Sequence, residues 1–289
     1  MLLALLKSMR PKQWIKNGFL FVALIFDEKL TDLASLLPIL TGFAVFCLLA
    51  STVYLLNDLF DRDADRQHPT KRNRPLAAGT LSAATAWIAI VVLLLVALPI
   101  AFSLNLTFFL LSITYLLSNI SYTRWLKHIP ILDVLLLAGF YVVRVAAGVS
   151  LIEVTRFSPW LYVFTTFLAL YLGVGKRRAE LSLLAGDAAN TRRVLGGYTL
   201  PFLDQLTIIV SAMAIITYSL YTFSAVNLPE NHTMMLTVPF VIYGIFRYLY
   251  LVQVMQVGDA PTEVFYTDRP LQVCILLWGL TILTVFYLF

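Results

Sequence analysis

Long apolar runs recur along the whole chain, and that recurrence leaves few architectures open. A helix needs about 20 apolar residues to cross the hydrocarbon core of a bilayer. Runs of this kind lie near 14–26, 34–56, 81–103, 105–121, 131–151, 158–175, 202–224, 233–255 and 271–289. The first is short and carries Lys16 and Asn17 near its start. The third and fourth meet at Ser103-Leu104-Asn105, read as a tight turn between neighbouring helices. Of the 289 residues 60% are hydrophobic and 13% charged, with a mean hydropathy of +0.84. Soluble proteins carry about 25% charged residues, so this chain has too little polar surface for a water-soluble globule. A soluble enzyme, a secreted disulfide scaffold and a disordered tail are excluded. The expected fold is all-α and polytopic, with nine transmembrane helices.

The loops orient those helices. With the N-terminus inside, the inner segments hold 17 of the 21 basic residues, and the outer loops hold only Lys29 and Arg156. Arg144 and Arg247 fall within spans. This is the asymmetry of the positive-inside rule, and it places the C-terminus outside. Met1–Leu6 is too short for the core of a signal peptide. The longer polar loops, near 57–80, 176–200 and 256–270, all lie on the inner side, so chemistry is expected at the cytoplasmic surface of a plasma membrane. Cys47 and Cys274 sit apart in apolar runs and read as small hydrophobes. His68, His128 and His232 are too scattered for a zinc site.

The densest polar stretch runs from Asn57 to Leu76. In a continuing helix Asn57, Asp61 and Asp65 share one face, with Asp58 three residues before Asp61. Four aspartates and an asparagine within nine residues are not required by topology, to which acidic residues contribute little. Stacked carboxylates at a membrane surface call for a cation. A set of oxygen donors without His or Cys suits Mg2+ or Mn2+, with Asn57, Asp58, Asp61 and Asp65 as candidate ligands. Lys71, Arg72 and Arg74 follow, a group suited to phosphate oxygens. Carboxylates, a metal and cations together describe a diphosphate site. The alternative is a solvated loop whose charges pair with one another and with anionic lipid heads.

Other polar residues are candidates for the same chemistry. Intramembrane arginines face a cavity or a partner, so Arg144 reads as a phosphate contact or as half of a structural ion pair. Arg247 reads as structural. Lys176 and Glu180, four apart in Lys176-Arg177-Arg178-Ala179-Glu180, could share a helix face as a second half-site, or form a plain salt bridge behind a topological stop signal. Asp259, Glu263 and Asp268 populate the last inner loop. Tyr122, Arg124 and Lys127 precede the fifth span and are weaker candidates.

The pattern Asn57-x-x-x-Asp61-x-x-x-Asp65, then Lys71-x-x-Arg74-Pro75-Leu76, resembles the UbiA superfamily of intramembrane prenyltransferases. The resemblance covers essentially all of 1–289 and implies one transmembrane domain. It further implies a central cavity open to lipid, with two polar half-sites at the cytoplasmic end. Members that use prenyl diphosphates carry Asp-x-x-x-Asp in the second half-site, where this chain has Lys176 to Glu180. That departure, with Arg10-Pro11-Lys12-Gln13-Trp14-Ile15-Lys16-Asn17, His68-Pro69-Thr70-Lys71-Arg72, Tyr141-x-x-Arg144 and Pro261-x-Glu263 before Asp268, resembles the decaprenyl-phosphate phosphoribosyltransferase branch.

The resemblance to that branch implies transfer of phosphoribose from 5-phosphoribosyl 1-diphosphate to a polyprenyl phosphate. Pyrophosphate is released, Mg2+ is required, and the product is a precursor of envelope polysaccharide. In this reading Asp58, Asp61, Lys176 and Glu180 are catalytic. Lys16, Asn57, Lys71, Arg72, Arg74, Tyr122, Lys127, Tyr141, Arg144, Arg177, Glu263 and Asp268 contact substrate. The partners are the donor, the lipid phosphate and membrane lipids, with no nucleic acid; a homo-oligomer is left open. The rivals are an aromatic prenyltransferase, which shares fold and metal, and a lipid-binding or transport protein, which would place its polar groups near the midplane.

Overall fold

The computed structural model describes residues 1–67, 71–154, 157–183, 193–225, 228–229, 231–257 and 261–288. His68, Pro69, Thr70, Arg156 and Asp259, all named above, lie outside them. The described residues are helical, with no strand among them. Lipid cannot hydrogen-bond a backbone, so a spanning chain satisfies its own amides, and helices do this within one segment.

In chain order the helices are α1 (Leu2–Met9), a 3-10 stretch (Pro11–Phe21), α2 (Val22–Phe26), α3 (Leu33–Phe60), α4 (Arg62–Gln67), α5 (Ala83–Leu104), α6 (Leu106–Arg124) and α7 (Leu132–Val149). Then come α8 (Pro159–Leu183), α9 (Leu200–Ser224), α10 (Val238–Gln253, after a 3-10 turn at Thr233–Thr237), α11 (Pro261–Thr267) and α12 (Arg269–Leu288). Among the described residues, seven helices are long and apolar enough to cross a membrane: α3, α5, α6, α7, α9, α10 with its 3-10 turn, and α12. The expected nine also counts the first run, which folds as a 3-10 helix and a five-residue α2. It counts α8 as well, whose last turns carry Lys176, Arg177, Arg178 and Glu180. The exposed faces are apolar; α5 alone presents Trp87, Ile88, Val91, Val92, Leu95, Val96 and Phe102. A continuous apolar face of this kind belongs in lipid. The protein is a multi-pass membrane protein.

Helix ends are set locally. Asn105 alone separates α5 from α6, and its side chain accepts the amides of Thr107 (2.7 Å) and Phe108, the tight turn expected from the sequence. Asp32 accepts the amides of Ala34 and Ser35 at the start of α3, and Thr199 that of Phe202 in α9. Such caps satisfy the first N–H groups of each helix.

Two compact units emerge: Met1–Leu126 with Val143–Thr155, and Lys127–Val142 with Arg156–Phe289. In the first, α3 packs on α5, α6, α1 and the 3-10 stretch. Leu55, Leu56, Leu76, Leu81, Ala86 and Ile90 form a core that α1 covers with Ala4, Leu5 and Met9. Gly148 of α7 lies directly against the backbone of Leu20, an approach that only glycine permits. In the second unit α8 packs along α9. Its core joins Val134, Val174, Val194, Leu195, Tyr198 and Leu203. Cys47 and Cys274 are free and buried, as small hydrophobes should be.

Candidate active site

In the first unit the acidic run begins inside α3 and ends inside α4. The helix breaks at Asp61 (φ −91°, ψ 4°), so the expected single helix is a bend. The spacing survives the bend. The Asp61 amide donates to the Asn57 carbonyl (2.9 Å) and the Asp65 amide to the Asp61 carbonyl (2.8 Å). Asp58 and Asp65 are turned inward, 1% and 4% exposed, while Asn57 and Asp61 are half-buried.

Burying two carboxylates demands counter-charge. It comes from two arginines, Arg74 close by in sequence and Arg10 48 residues before Asp58. Arg74 Nη1 lies 3.3 Å from Asp58 Oδ1 and 2.7 Å from Asp65 Oδ2, bridging the pair. Arg10 Nη2 donates to Asp58 Oδ1 at 2.5 Å, and its guanidinium lies over the Tyr54 ring. Arg10 is left-handed (φ 52°) at the joint between α1 and the 3-10 stretch, which aims its side chain at α3. Sequence reasoning quoted Arg10 in a motif but assigned it no role; the positive φ and the ion pair exist only in the fold. Lys71 and Arg72 are exposed on the short turn before Arg74.

These contacts bear on the expected metal. Among the described residues no three His, Cys, Asp or Glu gather into a metal cage. Arg74 bridges two of the carboxylates expected to share a cation. Yet Asp58 Oδ2 is buried and, among the described residues, has no hydrogen-bond partner. A buried carboxylate oxygen without a hydrogen-bond partner is open to a ligand. The donors at hand are carboxylates and an amide, the hard set that suits Mg2+, which needs only one or two protein carboxylates. The residues fit a divalent cation.

Deeper in this unit, Arg144 is buried. Its Nε donates to Asn17 Oδ1 (2.9 Å) and Nη2 to the Tyr115 hydroxyl (2.9 Å), with the Tyr115 ring 4.8 Å away. Asn17 in turn donates to Cys47 Sγ. Arg144 thus ties α7 to α6 and the 3-10 stretch, as an intramembrane arginine facing inward should. Lys16 on the 3-10 stretch and Tyr122 on α6 are half-buried.

The second unit carries the other group. Lys176 Nζ lies 3.9 Å from Glu180 Oε1, the expected pair on one helix face. Arg177, expected to meet substrate, is instead 1% exposed and committed to protein. Its Nε donates to Asp133 Oδ2 (2.6 Å) and Nη1 to Glu180 Oε2 (2.6 Å). A guanidinium makes two directed bonds at once, so Arg177 orients Glu180 from behind. The Tyr198 hydroxyl donates to Asp133 Oδ1 (2.7 Å) and accepts the Ile131 amide (2.6 Å). Ile131 has φ 69°, a strained setting for a β-branched residue. Burial raises the Tyr198 hydroxyl pKa, and its bond to Asp133 raises it further. Asp133 and Tyr198 were missed in the sequence, where each is a lone polar residue without a motif.

The remaining candidates separate. Lys127 and Tyr141 are half-buried, and Glu263 is exposed on α11. Asp268 caps α12 through the Leu271 amide (2.9 Å) and takes both Nε and Nη2 of Arg247 (3.1 and 2.7 Å). The Arg247 bond chiefly, then the cap, holds its carboxyl pKa low. Asp268 is occupied with structure, and Arg247 is the structural partner the sequence suggested.

The sequence profile of the UbiA prenyltransferase family matches residues 19–266. The chain is 32% identical to the decaprenyl-phosphate phosphoribosyltransferase of Corynebacterium glutamicum, over 98% of this chain and 87% of that protein. It is 31% identical to the enzyme of the same name from Mycobacterium tuberculosis, over 96% and 92%. The solved structure of a UbiA homolog from Archaeoglobus fulgidus bound to GPP and Mg2+ has the same fold, with a TM-score of 0.75 at 22% identity over 98% and 99% of the two chains.

Proposed function

The chain belongs to the UbiA prenyltransferase family, and we propose that it transfers the phosphoribosyl group of 5-phosphoribosyl 1-diphosphate to a polyprenyl phosphate, releasing pyrophosphate. The observation that carries this reading is the near full-length likeness, at 31–32% identity, to decaprenyl-phosphate phosphoribosyltransferases. The second group agrees with it. Lys176 and Glu180 stand where a prenyl-diphosphate enzyme would carry two aspartates, and they suit a donor with a ribose and an additional phosphate.

In the first unit Asn57, Asp58, Asp61 and Asp65 would hold Mg2+, which when bound would supply positive charge to the diphosphate leaving group. Lys16, Lys71, Arg72, Arg74 and Arg144 serve phosphate oxygens, Arg74 as a two-pronged donor. In the second unit Lys176 takes a phosphate, and Glu180, fixed by Arg177, accepts a ribose hydroxyl. The lipid phosphate is already anionic and attacks the anomeric carbon without a general base. The new bond joins a phosphate oxygen to that carbon, and the carbon–diphosphate bond breaks with its electron pair leaving on pyrophosphate. No proton need move. Holding both reactants in line is the main catalytic contribution. The polyprenyl tail remains in the bilayer against apolar helix faces.

Nine spans, with the N-terminus and the site on the cytoplasmic side, complete the proposal. The 3-10 stretch rises about 2.0 Å per residue, so its 11 residues cover about 22 Å, and the five of α2 add about 7 Å. Together they approach the ~30 Å of the hydrocarbon core. Helix α8, with 25 residues, is about 37 Å long, and the part before Lys176 covers about 26 Å of the core, with the charged last turns projecting into water.

Purified chain in detergent, given radiolabelled donor, polyprenyl phosphate and Mg2+, should form a labelled lipid, and EDTA should abolish it. Failure with this donor, joined to activity with a prenyl diphosphate and an aromatic acceptor, would overturn the donor assignment and leave the family intact.

A further inference from the structure

Among the described residues, two buried carboxylates and two partly exposed guanidinia form a neutral set in the first unit. The side chains of Asp58 and Asp65 are 2% and 5% exposed, whereas those of Arg10 and Arg74 are 28% and 26% exposed. The arginines therefore cover the carboxylates, and an anion arriving from water meets the guanidinia first. A divalent cation cannot simply join the set. Two acids and two arginines sum to zero, and a cation on the same carboxylate oxygens would stand against guanidinium nitrogens 2.5–3.3 Å from those oxygens. Releasing the arginines leaves two negative charges, matched to one Mg2+. The released guanidinia then need another acceptor, and phosphate oxygens provide it. The Asp58 oxygen without a bond marks where the exchange begins.

We propose that Arg10 is a further phosphate-binding residue of the donor site, and that Arg10 and Arg74 are parked on Asp58 and Asp65 until cation and donor arrive together. Each arginine changes partner from carboxylate to phosphate as the cation takes its place. Cation and donor therefore favour each other's binding beyond their direct contact, and the carboxylates are never left bare in the resting protein. The inference rests on the proposed metal–diphosphate site. A permanent salt bridge would do none of this.

The test is a pair of affinities with opposite signs. Mn2+ binding to the full chain in detergent, without donor, is read by the loss of the free-ion electron paramagnetic resonance signal. Labelled donor binding is read at saturating Mg2+. In Arg10→Gln and Arg74→Gln, Mn2+ alone should bind about tenfold tighter than in wild type, because the competing cation is gone. Donor should bind about tenfold or more weaker, for loss of a charged hydrogen bond. Arg10→Lys keeps the charge and should fall between; it carries the test if a Gln variant does not fold. Unchanged or weaker Mn2+ binding in the folded variants would show permanent bridges and overturn the proposal, as would unchanged donor affinity. If wild type ignores 5-phosphoribosyl 1-diphosphate but binds a prenyl diphosphate, the donor assignment fails on its own, and the two signs are read with that diphosphate.

Discussion

Replacing Tyr198 with phenylalanine removes one oxygen and tests the buried network of the second unit. That oxygen does two things: it donates to Asp133 Oδ1 at 2.7 Å and accepts the amide of Ile131 at 2.6 Å. A hydrogen bond to a charged group contributes about 1.5–3 kcal/mol, and a stranded buried amide costs about 1–3 kcal/mol. The two do not simply add, because the left-handed Ile131 can relax once its amide is released. The expected loss is about 3 kcal/mol. Unfolding in mixed micelles of a mild detergent and dodecyl sulfate would measure it against wild type. Tyr243→Phe is the control, since Tyr243 is 48% exposed and its hydroxyl should be worth no more than about 0.5 kcal/mol. A loss below about 1 kcal/mol for Tyr198→Phe, indistinguishable from the control, would refute the reasoning. It would mean that Asp133 and Arg177 hold each other without the hydroxyl.

Three further outcomes are expected. Gly148→Ala drives a methyl into the backbone of Leu20 and should cost about 2–3 kcal/mol by overpacking, or prevent folding; an unchanged unfolding midpoint would mean that the helices move apart freely. Asp61→Asn should lose most Mg2+-dependent turnover while keeping the wild-type melting temperature, and full turnover would remove Asp61 from the metal set. The Asp268 carboxyl has a pKa below its ordinary 3.8, so its pairing with Arg247 stabilises the fold above that pH and is lost as pH falls through the lowered value. The stability gap between wild type and Asp268→Asn should hold from neutral pH down to about 4 and close below it; a gap persisting in stronger acid would contradict the assignment.

Much of the local geometry of the candidate site was legible in the sequence for a physical reason. Metal and phosphate chemistry needs several like charges close together, and at Asn57–Arg74 they are close along the chain. The four-residue spacing of Asn57, Asp61 and Asp65 outlasts the bend at Asp61 because the backbone bonds continue across it. Lys176 and Glu180 meet because an α-helix brings every fourth residue together. Arg10 and Asp133 were not legible, because their partners lie 48 and 44 residues away. Arg177 and Asp268 were read as substrate contacts, since a charged residue beside a motif looks the same whether it faces a ligand or a buried partner.

The run lengths and composition determined by themselves that the chain is helical and lies in a membrane, because lipid accepts no other solution for so many apolar residues with so few charges. They determined also which charged residues the proposed diphosphate and cation site can draw on. Only the tertiary structure decided how those charges are spent. Arg10 and Arg74 cover Asp58 and Asp65, and Arg177 is drawn inward by Asp133 to hold Glu180. A buried charge must find its opposite wherever the fold brings one, and that pairing is written in three dimensions rather than along the chain.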